Sequence, residues 1–149
     1  MEQLVIHPMQ EKERPALRRL YLQTRRESFF WLDSQSMKLE DFDRDTQGER
    51  VFTASVNGKL AGFLSVWEPD RFVHCLYVAG EFQHQGVGSR LLEEAVQRFG
   101  PPLELKCLCQ NSAALAFYLA GGWQIIDEGM CEEGPWYRMR FSGKEKPVL

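Results

Sequence analysis

The apolar run Phe72-Val73-His74-Cys75-Leu76-Tyr77-Val78 leads into Gln83-His84-Gln85-Gly86-Val87-Gly88-Ser89, after which Leu91, Leu92, Ala95, Val96 and Phe99 recur at helical spacing. A β-competent segment that meets an amphipathic helix across a two-glycine turn commits the middle of the chain to a strand–turn–helix unit, and so to a layered α/β domain. The turn also carries chemistry. The first N–H groups of a helix have no partner within it, and they lie at the positive end of its dipole, about half an elementary charge. Glycines at 86 and 88 let the backbone approach an anion with no side chain between. A phosphate or pyrophosphate suits such a place; a plain tight connection is the competing reading of the same spacing. No Gly-Lys-Ser/Thr follows, so this is not a Walker loop, and the third glycine of a dinucleotide fingerprint is missing.

The flanking segments fit the same plan. Leu4-Val5-Ile6 reads as a short strand and Glu11 to Phe29 as a helix, with Leu17, Leu20, Tyr21 and Thr24 on one side. Pro15 falls near its first turn, where an N–H is not needed. An aromatic connection follows, with Phe29, Phe30, Trp31 and Leu32 and then Met37, Leu39 and Phe42, and it holds a short second helix. Val51–Val56 and Leu60–Trp67 are strands paired about Asn57-Gly58, a strong two-residue hairpin signal. The helix at 88–99 is broken by Gly100-Pro101-Pro102. Leu103–Cys109 is a strand, Ser112–Ala120 a helix stopped by Gly121-Gly122, and Trp123–Ile126 and Trp136–Phe141 are closing strands. Asp127 to Pro135 reads as an acidic loop or irregular hairpin, and Ser142–Leu149 as a frayed tail. The order βααβββαβαββ predicts a mixed central sheet of about seven strands flanked by about four helices, in a single domain over residues 1–149.

Composition narrows the function classes. With 44% apolar and 26% charged residues the chain is globular. A net charge of −3 gives no electrostatic case for nucleic acid or an anionic membrane. No apolar run approaches the roughly 20 residues of a membrane span, and the N-terminus lacks a signal-peptide pattern. A cytoplasmic monomer or homodimer is expected. Cys75, Cys107, Cys109 and Cys131 read as free, mostly buried thiols. Cys107-x-Cys109 without a neighbouring histidine is a poor metal chelate, so no metal is expected.

Gln83-x-x-Gly86-x-Gly88 resembles the Gln/Arg-x-x-Gly-x-Gly/Ala signature of the GNAT acetyltransferase superfamily, and Leu76-Tyr77-Val78 stands where that family carries its Leu-x-Val strand. Asn111-Ser112-Ala113-Ala114-Leu115-Ala116-Phe117-Tyr118-Leu119-Ala120-Gly121-Gly122-Trp123 is similar to the family's Asn-x-x-Ala-x-x-x-Tyr-x-x-x-Gly-Phe block, with Trp123 for the usual Phe. The resemblance runs end to end. It implies that the strands at 72–78 and 103–109 lie parallel and splay apart, and that acetyl-CoA is the co-substrate. Its pantetheine arm would pair with the free edge of Leu76, Tyr77 and Val78, as an added strand does. Its diphosphate would sit on the backbone amides around Gln85 to Ser89, so Gln83, His84, Gln85, Gly86, Val87, Gly88 and Ser89 are expected to bind the cofactor, together with Asn111 at its arm, unless that residue only caps the following helix, and Tyr118 near the thioester sulfur.

Acetyl transfer to an amine requires loss of the amine's proton, stabilisation of the carbonyl oxygen, and protonation of the departing thiolate. The resemblance makes Tyr118 the acid to the thiolate, with the Val78 N–H as oxyanion donor. Some relatives place a glutamate base where this chain has Lys106, which cannot accept a proton. His74, where certain arylalkylamine acetyltransferases carry a histidine, is the better base or water relay; Glu81, Asp41, Asp43 and Glu104 are weaker ones. Phe29, Phe30, Trp31 and Trp136 are expected to wall the acceptor pocket, and Asp41, Asp43, Glu132 and Glu133 to attract a cationic amine. The acceptor is a small-molecule or protein primary amine. A covalent acyl-enzyme on Cys75 or Cys107 is disfavoured. The alternative is a catalytically inactive acyl-CoA-binding regulatory module; nucleotide binding by the same turn is a third reading.

Overall fold

Asn57 and Gly58 both take left-handed backbone, φ 51° and 82°. They turn β2 (Arg50–Val56) back on itself as β3 (Lys59–Trp67). Two successive positive-φ residues match the twist of the flanking strands, which is why this dipeptide specifies a hairpin. The computed structural model describes residues 3–143. In it, β1 (Leu4–Pro8) adds antiparallel to β2, and β4 (Phe72–Val78) antiparallel to β3. β5 (Leu103–Leu108) then runs parallel to β4. β7 (Gly134–Phe141) pairs antiparallel with β5, and β6 (Gln124–Cys131) closes the outer edge. The order is β1-β2-β3-β4-β5-β7-β6 in one mixed seven-stranded sheet.

Four α-helices cover the sheet: α1 (Arg14–Ser28), α2 (Asp41–Asp45), α3 (Val87–Phe99) and α4 (Ser112–Ala120). Successive strand residues point to opposite faces, so Phe63 and Leu64 of β3 enter different cores. Leu64 joins Phe52, Val66, Leu103 and Leu105 beneath Val87, Leu91, Leu92 and Ala95 of α3. Phe63 joins Leu17, Leu20 and Tyr21 of α1 and Phe42 of α2. Leu91 and Phe63 are fully buried, each worth about 1.5–3 kcal/mol relative to exposure. α2 is anchored by charge as well as packing. Asp43 pairs with Arg14 and Arg18 at 2.7 Å each, and Asp41 with Arg25 at 3.1 Å.

Two expectations are refined. Of the two readings of Asp127 to Pro135, the irregular hairpin holds and the loop does not: residues 127–131 complete β6, Glu132 and Glu133 form a two-residue turn, and Gly134 and Pro135 begin β7. A register step between Ile125 and Asp127 hides the strand's alternation, and charge on an outer-edge strand guards against sheet-to-sheet pairing. Gly129, opposite Trp136, is required there, since a Cβ would stand 2.2 Å from the indole. Cys75 and Cys107 are buried, but Cys109 is half-buried and Cys131 exposed; all four are free. Most of the expected tail, from residue 144 to Leu149, lies outside the described residues.

Candidate active site

β4 and β5 are paired at only two positions, Phe72 with Glu104 and Val73 with Leu105. The cause is an extra residue in β4. Ser65 of β3 opposes Cys75 and Val66 opposes Val73, which leaves His74 unmatched. Such a bulge bends the strand and re-aims its side chains. Accordingly Val73 enters the core under α3 while Cys75, two residues on, enters the one under α1. Beyond the bulge, β4 leaves β5, and the edge of residues 74–78 is unpaired with β5. A cleft of about 1420 Å³ opens there, larger than the roughly 300–1,000 Å³ of a pocket for one small ligand.

At one end lies the glycine turn. Gly86 caps α3 from the left-handed region, φ 83°, and His84 is left-handed at φ 64°. The first hydrogen bond of the helix is Arg90 N–H to the Gly86 carbonyl. Among the described residues, none accepts a hydrogen bond from the main-chain N–H groups of residues 84–89. Several amides and the helix dipole thus converge on one spot, which suits a diphosphate. Gln83 donates from Nε2 to the Val78 carbonyl at 3.2 Å, tying the turn to the end of β4. Gly88 has a packing reason for its lack of side chain, because a Cβ would lie 3.2 Å from the Phe117 ring.

α4 brings its residues to the opposite wall. The Asn111 side chain accepts from the Ala114 N–H at 3.3 Å, so it is the N-cap. Tyr118 packs edge-on against Phe117 and Trp123. Its hydroxyl makes no hydrogen bond to the described residues, and its ring borders the cleft. Burial, with a smaller contribution from Cys107, pushes the phenol well above its ordinary value. It is therefore a protonated, unengaged donor at neutral pH. Burial likewise pushes the Cys75 thiol up to about 12 and that of Cys107 to about 11. Neither holds a thiolate at neutral pH, so both are poor nucleophiles.

His74 projects from the bulge into the same cleft, with Nδ1 2.8 Å from Glu49 Oε2. That hydrogen bond raises its pKa above the ordinary imidazole value against the opposing effect of burial. Of the expected cofactor residues, Leu76, Tyr77, Val78, Gln83, His84, Gly86, Val87, Gly88, Ser89, Asn111 and Tyr118 all border the cleft. Gln85 does not; its side chain donates to the Glu81 carbonyl at 3.0 Å. Tyr77 also belongs to an aromatic group with Tyr21 and Phe63.

The acceptor side differs from expectation. Phe29 and Phe30 border the cleft, as do Glu132 and Glu133. Trp31 stands behind them, donating from Nε1 to the Glu133 carbonyl at 3.0 Å, and bridges the α1–α2 connection to the β6–β7 turn. Trp136 lies outside the cleft, under Lys106, whose Nζ is 4.4 Å from its ring centre. Asp41 and Asp43 are committed to arginines and offer a cationic amine little. Burial alone would raise both carboxyls, but hydrogen bonds from the Lys38 N–H and Arg25, and from Arg18 and Arg14, hold them below the usual range. Glu104 is likewise bound to Arg138 and Arg140, and Glu81 to Lys59. Glu49, against which His74 is set, carries no motif and no spacing that would single it out among the acidic residues. Among the described residues, no group of three His, Cys, Asp or Glu side chains could hold a metal ion, and no helix is long and apolar enough to cross a membrane.

The sequence model of the acetyltransferase (GNAT) family matches residues 14–122. The peptidyl-lysine N-acetyltransferase YiaC of Escherichia coli strain K12 is 29% identical over 129 residues, covering 83% of this chain and 85% of its own. Two solved structures share the fold at lower identity. Apo-form YjaB from Escherichia coli superposes with a TM-score of 0.79 at 18% identity, over 95% of this chain and 99% of its own. The PaiA N-acetyltransferase from Thermoplasma acidophilum, in complex with coenzyme A, does so at 0.78 and 15%, over the same shares.

Proposed function

The chain belongs to the GNAT family of acetyltransferases, and from that premise we propose that it moves an acetyl group from acetyl-CoA directly to a primary amine while both substrates are bound. One observation carries this reading. The free β4 edge, the glycine turn with its unpaired amides, and Tyr118 with its unengaged hydroxyl all border a single cleft. The edge fits an amide-bearing arm, and the turn fits its diphosphate. Acetyl-CoA supplies an activated thioester carbonyl. His74 takes a proton from the incoming ammonium, leaving a neutral nitrogen to attack that carbonyl. Val78 offers its N–H to the oxygen as it becomes negative. Tyr118 gives its proton to the sulfur as the C–S bond breaks, and recovers one from the nitrogen of the new amide. His74 then releases its proton to solvent, which balances the reaction.

The acceptor we assign is an amine on a slender chain, of the kind a lysine side chain presents. Support comes from the acidic turn Glu132-Glu133 beside Phe29 and Phe30 at the cleft, and from the peptidyl-lysine activity in the name of the 29% identical relative. Release of CoA thiol from acetyl-CoA, measured against lysine peptides and small amines, tests the assignment; no release with any amine overturns it. Lys106 favours one second reading. It stands in the cleft where the family resemblance puts a glutamate in some relatives, so an acyl-CoA-binding module without turnover is the alternative. Tight CoA binding with no acetylation would establish it.

A further inference from the structure

We infer that Glu49 is a positioning residue for His74, holding the imidazole from behind the cleft so that one ring nitrogen is presented to the acceptor amine. This rests on the proposed acetyl transfer and deepens it. Glu49 follows the tight turn that ends α2, its N–H bonded to the Thr46 carbonyl. Its side chain is 8% exposed and stands outside the cleft lining, on the far side of His74's Nδ1. Oε2 meets His74 Nδ1 at 2.8 Å, whereas Oε1 is buried and accepts no hydrogen bond from the described residues. A buried carboxylate with one bare oxygen is costly. It calls for a compensating charge, and His74 is the group it touches.

The chemistry of the pair fixes its consequence. An ionised carboxylate only accepts, so Nδ1 keeps its hydrogen in both forms of the ring, and in the neutral form Nε2 carries the lone pair. The bulge supplies the other half of the arrangement, since it is the extra residue that aims into the cleft. The charged or titratable side chains that border the cleft with His74 are Tyr21, Arg25 and Glu27 of α1, Asp33, Asp41, Arg44 and Asp45, Tyr77 of β4, His84, Lys106 and Cys107 of β5, Tyr118 of α4, and Glu132 and Glu133. Of these, Asp45 adds to the effect of Glu49 on His74.

The test compares Glu49→Gln, Glu49→Asp and His74→Gln with the wild type by imidazole NMR titration and by the pH dependence of kcat/KM. Glu49→Gln should move the His74 midpoint and the acidic limb of the rate profile together towards lower pH. It should slow turnover about tenfold to a hundredfold near neutrality with CoA affinity unchanged. Glu49→Asp, which keeps the carboxylate, should restore most of the limb. In a His74→Gln background, Glu49→Gln should add almost nothing. A midpoint that does not move, or one that moves while rates stay at wild-type level, overturns the proposal. Wild-type protein that releases no thiol with any amine sinks the acetyl-transfer reading itself, and the role in turnover with it. That outcome is told apart because it appears before any substitution is made.

Discussion

The indole N–H of Trp31 donates to the main-chain carbonyl of Glu133 across 3.0 Å, joining the connection after α1 to the last hairpin of the sheet. Residues 102 apart in the chain thereby frame the acceptor end of the cleft. Trp31→Phe keeps the ring and removes the donor. An exposed hydrogen bond of this kind contributes about 0.5–1.5 kcal/mol, so the amine KM should rise by up to roughly tenfold. Affinity for CoA, measured by calorimetry, should not change. Equal weakening of both substrates would show that the bond supports the fold rather than the acceptor end.

Gly86 is conformationally demanding but not crowded: φ is 83°, and a Cβ would meet nothing within 4 Å. Gly86→Ala therefore tests backbone strain alone, about 1–3 kcal/mol. Gly86→Glu adds a carboxylate beside the amides of residues 84–89. CoA affinity should fall about a hundredfold further than in the alanine variant, with circular dichroism unchanged. Equal CoA affinity in the two variants would move the diphosphate away from this turn.

Tyr118→Phe removes a hydroxyl with no hydrogen-bond partner among the described residues, so thermal stability should change little. If that hydroxyl protonates the departing thiolate, kcat should drop about 10²- to 10⁴-fold, with CoA still binding. A variant that keeps wild-type kcat would assign the proton to water.

The His74–Glu49 pair makes stability depend on pH in a definite direction. The folded-state pKa of His74 is raised above the ordinary value of 6.5. Its contribution is fully present below 6.5 and disappears as pH rises through the raised folded value. The melting temperature of wild-type protein should exceed that of Glu49→Gln most at about pH 6, and the gap should close towards alkaline pH. A gap independent of pH would mean that the pair is not coupled by charge.

Much of the architecture is legible in the residues, because it is encoded locally. The dipeptide Asn57-Gly58, the two-glycine turn before α3 and the 3.6-residue spacing of Leu91, Leu92 and Ala95 each involve a few neighbours, and the structure contains all of them. What could not be read depends on partners distant in sequence. The bulge at His74 exists only relative to Ser65 and Val66 of β3. Asp41 and Asp43 look like free acids until α1 places Arg25, Arg14 and Arg18 against them. The strand in 127–131 looks like a loop because both its faces are exposed, leaving no alternation to detect. Trp136 looks like a pocket wall, yet pairing with Gly129 turns it away from the cleft.

The seam between β4 and β5 has a mechanical consequence. With two residue pairs joining them, β1–β4 and β5–β7 are two plates of one sheet, joined at the base of the gap over a shared core. His74 rides on one plate just past that junction, while Tyr118 is carried beside the other. Any spreading or narrowing of the plates therefore changes the span between the two groups, and a molecule filling the gap sets that span like a shim.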